Sequence, residues 1–356
     1  MIQSYGWSDA LQHDFAPHAV RGLIPGRILV QQRGLYEVVT DLGELAAQVS
    51  GKLAHEAGPG DFPAVGDWVA LAARPDEGAA TIHALMPRRT AFVRKAAQSV
   101  ADEQVVAANV DVALLVASMN ADFNARRLER YLATAWQSGA EPVVVLTKAD
   151  LADDPDAAID EAESVAFGAP VLAVSAVTGE GLEALAAYLK PAETAVLVGS
   201  SGVGKSSLVN ALAGENLMAI QAIREDDAKG RHTTTHRELI RLPSGALVLD
   251  TPGMRELGLI DADEGLSTAF EDIEALAEAC RFSDCGHSNE PGCAVREALE
   301  SGALDRGRWK SFQKLQREMA QLERKENPAA REAHRRHWIG VHKAARAHMK
   351  AKRRDW

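Results

Sequence analysis

Residues Ala195-Val196-Leu197-Val198-Gly199-Ser200-Ser201-Gly202-Val203-Gly204-Lys205-Ser206-Ser207 pass from an apolar strand pattern, through Gly-x-x-x-x-Gly-Lys-Ser, into a helical pattern at 208–212. Strand, loop and helix in that order are the context a phosphate-binding P-loop requires. Gly199 and Gly204 let the backbone turn tightly, so that successive N–H groups point at phosphate oxygens. The following helix offers its positive N-terminal end to the same anion. Lys205 is expected to reach the β- and γ-phosphates, and the Ser206 hydroxyl to ligate magnesium. Ser200, Ser201, Gly202, Val203 and Ser207 complete the expected nucleotide-binding loop.

Apolar strand patterns on either side of this stretch alternate with helical ones, which predicts an α/β domain with a mainly parallel sheet over 99–260. Residues 110–118 form a buried-strand pattern, and 126–138 have helical spacing. A second strand pattern ends in Thr147-Lys148-Ala149-Asp150, and a third in Ser175-Ala176. Ligand residues belong at the carboxyl ends of such strands. A carboxylate at Asp150 is placed to accept from guanine N1–H and N2–H, a donor pair that adenine lacks. The stem of Lys148 would lie along the base, and Ser175-Ala176 would give a backbone N–H to O6. After the P-loop helix, 217–230 is polar and aperiodic and leads into Gly230-Arg231-His232-Thr233-Thr234-Thr235. A threonine there can complete magnesium coordination and sense the γ-phosphate. The strand pattern 246–249 then runs into Asp250-Thr251-Pro252-Gly253. Asp250 is expected to hold magnesium through water, and the Gly253 N–H to contact the γ-phosphate.

The chain has 356 residues, 46% of them hydrophobic, enough for two or three domains with sizeable cores. No apolar run is long enough to span a membrane, and the N-terminus lacks the pattern of a signal peptide. Residues 1–98 show about five short strand patterns, including 27–32, 45–53 and 80–85, with Gly and Pro/Asp punctuation. They predict a small β-barrel, foremost an OB-fold, of the kind that binds RNA. Arg88, Arg89, Arg94 and Lys95 close this domain with a basic cluster. The three cysteines fall together in Cys280-x4-Cys285-x-His287-x5-Cys293 within the third domain, 261–356. Three thiols and an imidazole at this spacing suit a closed, structural zinc site, standing in for a core the segment is too short to build. Helical patterns flank the site at 266–279 and 308–324. The last 26 residues hold nine Lys/Arg against two acids, +7 in a chain of net charge −11, which leaves −18 on the rest. A basic tail on an acidic body suggests a polyanionic partner.

The base-reading motifs precede the P-loop instead of following it. The set therefore resembles that of translation-factor-like GTPases in circularly permuted order. With a barrel before it and the Cys/His cluster after it, the chain resembles the RsgA (YjeQ) family of small-ribosomal-subunit-dependent GTPases over nearly its full length. The Gly230–Thr235 loop and the Cys/His spacing are specific to that family. The resemblance implies a cytoplasmic, monomeric factor that binds the small ribosomal subunit and its rRNA and acts in late subunit maturation. It implies GTP hydrolysis to GDP and phosphate, stimulated by the subunit, with one structural zinc and with magnesium on GTP. By alignment of the threonine run it assigns Thr234 to the switch. Two positions depart from the pattern. Thr147 replaces the usual Asn, which weakens the expected contact to guanine N7. Met254 stands where Ras-like enzymes keep a water-orienting Gln, so intrinsic hydrolysis should be slow. His232, or a group from the partner, must then place the water. A clamp in which GTP holds both flanking domains on RNA is the expected working cycle. A permuted GTPase for another RNA assembly, and an RNA-binding scaffold with a structural nucleotide, are the alternatives.

Overall fold

The computed structural model describes residues 1–32, 34–58, 60–95, 103–119, 123–218, 237–250 and 263–326. After a 3₁₀ turn at Ile2–Tyr5 comes helix α1 (Asp9–Ala19), started by Ser8, whose hydroxyl accepts from Leu11 N at 3.3 Å. Its Leu11 and Phe15 pack with Ile2 on Trp68 and Met86. Strands β1 (Ile24–Gln32), β2 (Leu35–Thr40), β3 (Gly43–Val49), β4 (Trp68–Arg74) and β5 (Ala79–Leu85) follow. They run in the order β1-β2-β3-β5-β4, and β4 returns to β1 with Arg27 opposite Trp68, so the barrel is closed. Every pair is antiparallel except β3–β5. This is the five-stranded OB-type barrel read from the strand patterns. The strand expected over 45–53 is shorter. It stops at Val49, because Ser50 Oγ accepts from Leu53 N at 3.1 Å and caps helix α2 (Gly51–Glu56).

The basic cluster at the barrel's end is largely spoken for. Arg88 makes a bidentate pair with the buried Asp67 (Nε–Oδ1 2.9 Å, Nη2–Oδ2 2.8 Å). Arg89 pairs with Asp111 at 3.1 Å, and Arg94 donates to Gln104 Oε1 at 3.1 Å. Arg88 thus ties the chain after β5 back to the barrel, Arg89 reaches the residue before the central sheet's first strand, and Arg94 bonds within the hairpin of β6 (Ala91–Lys95) with β7 (Glu103–Ala108).

The central sheet comprises β8 (Val112–Ser118), β9 (Glu141–Thr147), β10 (Val171–Ala173), β11 (Thr194–Val198), β12 (Arg237–Arg241) and β13 (Leu247–Asp250). Its order is β10-β9-β8-β11-β13-β12, parallel apart from β12. Helices α3 (Ala125–Ser138), α4 (Pro155–Glu163), α5 (Leu182–Ala186) and α6 (Lys205–Ala213) connect the parallel strands or follow them. Asn124 and Asp154 cap α3 and α4 through their side chains. Strand β12 had no counterpart among the strand patterns read from the sequence. It pairs with β1 (Val30 opposite Glu238), so barrel and central sheet form one continuous sheet.

The C-terminal part holds α7 (Asp263–Ala269), α8 (Glu271–Glu278), α9 (Ala294–Ser301) and α10 (Arg306–Glu326). The single helix expected over 266–279 is two. The chain leaves helical geometry at Phe270 (φ −127°), whose ring is fully buried. The segment also builds more core than expected. Phe270, Ile273, Val295, Leu304, Phe312 and Leu315 join the buried cluster that contains Leu128, Tyr131 and Leu132 of α3. A metal here adds to that apolar packing and does not replace it.

Candidate nucleotide site and metal centre

Strand β11 is buried at all five positions, and the loop after it is shaped by close backbone approach. A Cβ at Gly199 would stand 2.3 Å from Val116 O, which only glycine avoids. Gly204 has φ +97° and opens α6 directly, so the first N–H groups of that helix face the loop. Lys205 Nζ lies across the loop and donates to Gly199 O (2.8 Å) and Ser200 O (2.6 Å). Ser206 and Ser207 occupy the first turn of α6. The parallel register Val196↔Leu249 puts Asp250 at the carboxyl end of β13, beside the P-loop strand.

The two motifs expected to read the base, Thr147–Asp150 and Ser175-Ala176, meet. Ser175 Oγ donates to Asp150 Oδ1 at 2.6 Å and accepts from Val177 N (3.2 Å) and Thr178 N (3.1 Å). Ser175 is fully buried while Asp150 is exposed, so a rigid hydroxyl aims a solvent-facing carboxylate. Sequence reasoning gave Ser175 only a backbone role and missed this one. Of the two backbone N–H groups expected to face the base O6, that of Ser175 is committed to Glu180 O at 2.9 Å. Lys148 adopts a left-handed conformation (φ +60°), and its Nζ donates to Gly202 O at 2.9 Å. Thr147 Oγ1 contacts the carbonyls of Val203 and Ala117, the latter at 3.2 Å. The side chains of Thr147 and Lys148 are thus both bonded to the P-loop. His232, Thr234, Gly253 and Met254 lie outside the described residues, as does the side chain of Asp250.

The ligand atoms of Cys280, Cys285, His287 and Cys293 all lie within 4.8 Å of one another. A tetrahedral zinc with Zn–S of about 2.3 Å and Zn–N of about 2.05 Å implies S···S edges of about 3.8 Å and S···N edges of about 3.6 Å. The observed edges are 3.9 Å for Cys280–Cys293, 3.6 Å for Cys280 Sγ–His287 Nδ1 and 3.5 Å for Cys293 Sγ–His287 Nδ1. The three edges among Cys280, His287 and Cys293 match a tetrahedral metal ion, and Cys285 Sγ lies within 4.8 Å of those donors as the fourth ligand atom at hand. His287 is held with φ +56° and its ring meets Trp309 of α10 edge-on at 5.6 Å. Cys293 also caps α9, accepting from Arg296 N at 3.4 Å. Glu290 closes the intervening loop by accepting from Gly286, Ser288 and Asn289 N–H groups.

Residues 85–260 match the family model described as RsgA GTPase. The chain is 46% identical, over 97% of its own length and 97% of the relative's, to the small ribosomal subunit biogenesis GTPase RsgA of Opitutus terrae. Among solved structures it resembles YjeQ from Thermotoga maritima, with a TM-score of 0.62 and 29% identity over 82% of this chain and 97% of that one. It also resembles YloQ, described as a circularly permuted GTPase, with a TM-score of 0.58 and 26% identity over 83% and 95%. With a P-loop that follows the strands leading to Asp150 and Ser175, a closed barrel before it and a Cys3His group after it, this chain belongs to the RsgA GTPase family.

Proposed function

We propose that this GTPase binds the small ribosomal subunit and acts in its late maturation, in the cytoplasm and as a monomer, hydrolysing GTP to GDP and phosphate faster when subunit-bound. Support comes from the convergence of Gly199–Ser207, Asp150 and Ser175 at one end of the central sheet, together with the name carried by the Opitutus terrae relative. Asp150 and Ala176 select guanine. The P-loop N–H groups and Lys205 hold the phosphates. Ser206, Thr234 and Asp250 are the residues that would hold magnesium, which supplies charge neutralisation at the β- and γ-oxygens. Hydrolysis by the protein alone is slow because Met254 cannot orient water, and His232 or a subunit group does so in the complex. By analogy with other activators, that completion is worth about 10³–10⁵ in rate. Cys280, Cys285, His287 and Cys293 hold one structural zinc, with no ligand position left for substrate. The division 1–98, 99–260 and 261–356 into barrel, GTPase and zinc-bearing parts belongs to the same proposal.

The test is GTP turnover by the purified chain, alone and with purified small or large subunits, beside Lys205→Ala. Stimulation by the small subunit only, abolished in the variant, is the expected result. Turnover that neither particle changes would overturn the assignment of partner.

A further inference from the structure

We infer that Thr147 does not read the base. Its hydroxyl braces the P-loop, and the guanine N7 goes unread in this nucleotide site. The inference rests on Asp150 as the guanine-binding carboxylate.

Thr147 is the last residue of β9 and is 3% exposed. Its Oγ1 touches two oxygens, Val203 O and Ala117 O, and both are carbonyls that only accept. A hydroxyl carries one proton. Whichever carbonyl takes it, none remains to donate elsewhere. Guanine N7 is an acceptor and can be bound only by a donor. The hydroxyl's remaining lone pairs offer N7 nothing. A carboxamide in the same place has two N–H donors, so asparagine can bond the P-loop and N7 together. Threonine must choose, and here the choice is the P-loop.

The surroundings favour the same choice. Val203 is buried, so turning the hydroxyl away would strip its carbonyl of this partner. Lys148 Nζ holds the preceding carbonyl, Gly202 O, at 2.9 Å. Residues 147 and 148 thus grip two successive P-loop carbonyls, directly before Gly204 at φ +97° and Lys205. Thr147 is a positioning residue for phosphate binding. Base choice falls to the N1/N2 edge through Asp150 and to O6 through Ala176, and guanine nucleotides altered at position 7 should be admitted.

The experiment is competition binding on the full chain with GDP, 7-deaza-GDP and ADP, for wild type, Thr147→Val, Thr147→Ser and Thr147→Asn. Wild type is expected to bind 7-deaza-GDP within about twofold of GDP, and Thr147→Val to weaken both by the same factor, about tenfold. Thr147→Ser should restore both. Thr147→Asn should create a preference for GDP over 7-deaza-GDP of about fivefold or more, the value of one recovered hydrogen bond. The inference is overturned if wild type already shows that preference and Thr147→Val loses it while ADP is still rejected. ADP competing as well as GDP would instead overturn the guanine reading of Asp150, and this inference with it.

Discussion

Arg27 Nη2 donates to Thr194 Oγ1 at 2.8 Å, joining the first barrel strand to the strand that carries the P-loop. The guanidinium is 2% exposed and lies over Trp68, 5.4 Å from the ring centroid. It also donates to Gly66 O (3.1 Å), Asn109 O (3.1 Å) and Tyr5 O. Burial pulls its pKa down to about 10, so it stays protonated at neutral pH. Four segments, at Tyr5, Gly66, Asn109 and Thr194, are tied to the first barrel strand by this one cation. Arg27→Met keeps much of the volume but leaves the carbonyls unpaired, and should destabilise the chain by about 3 kcal/mol or more. Arg27→Lys should cost about 2 kcal/mol, since an ammonium cannot span the same acceptors. Urea unfolding followed by tryptophan fluorescence measures both. An unchanged midpoint for Arg27→Met would remove Arg27 from this role.

A second buried cation ties the other flank. Arg308 on α10 donates to Asp272 (Nη2–Oδ1 2.5 Å) and to Glu129 of α3 (Nη1–Oε1 3.2 Å), between the rings of Phe167 and Phe270, each 4.6 Å away. Glu129 is fully buried. Removing the arginine leaves Glu129 with only the part-exposed Arg126 (Nη1–Oε1 2.5 Å) and Asp272 without its buried partner, and Arg308→Ala should cost about 2–4 kcal/mol. In the double variant with Glu129→Gln the loss should be smaller than the sum of the singles. Additive losses in a double-mutant cycle would show that the two residues are not coupled.

These two arginines mark the limit of what is legible in the sequence. The P-loop, the base motifs and the Cys/His cluster were legible because each depends on local spacing: Gly199 to Lys205 is one turn, and Cys280 to Cys293 one loop. Strand positions followed from uninterrupted apolar runs such as Val112–Ser118. What joins the parts is non-local. Thr194 is 167 residues from Arg27, and Glu129 is 179 from Arg308. A buried arginine looks like any surface arginine until its partners are placed. Strand β12 was missed because Arg237–Arg241 is only five residues long, with one fully buried position. Ser50 ended a strand early by capping a helix whose own residues carry no strong apolar period.

The metal centre should be stoichiometric and structural. Metal analysis of the purified chain should find one zinc, and Cys285→Ser should lose it. The loss should also lower helix content, because Cys293 caps α9 and His287 packs on α10. GDP affinity should change little, since the cluster beneath α6 (Leu208, Val209, Leu197 and Val145) is separate from the one around Cys293. Full zinc retention in Cys285→Ser would exclude Cys285 from the ligand set.

Asp150 makes a chemical prediction about the base. Guanine presents two donors to a carboxylate that offers two acceptors. Asparagine offers one acceptor and one donor, which matches xanthine, whose position 2 is a carbonyl. Asp150→Asn should therefore weaken GDP by about 10²-fold or more and improve XDP. Ser175→Ala frees the carboxylate from its 2.6 Å bond and should weaken GDP by about tenfold without admitting XDP. Isothermal titration with both nucleotides separates the two effects. Equal binding of XDP and GDP by the wild type would mean that Asp150 does not face the base.

The basic tail is testable apart from the nucleotide site. Residues 331–356 lie outside the described residues, and their +7 is a property of the sequence alone. If the tail meets rRNA phosphates, it releases counterions, and the logarithm of the affinity falls linearly with the logarithm of salt concentration. Deleting 331–356 should weaken binding to small subunits most at low salt and flatten that slope. Each lost phosphate contact removes about 0.7–0.9 from the slope, so the change counts the contacts. GDP binding should be unaffected. A deletion that lowers affinity equally at every salt concentration would point to a packing role for the tail. One that leaves subunit binding unchanged would return the −18 remainder of the chain to its barrel and zinc-bearing parts as the only RNA-facing surfaces.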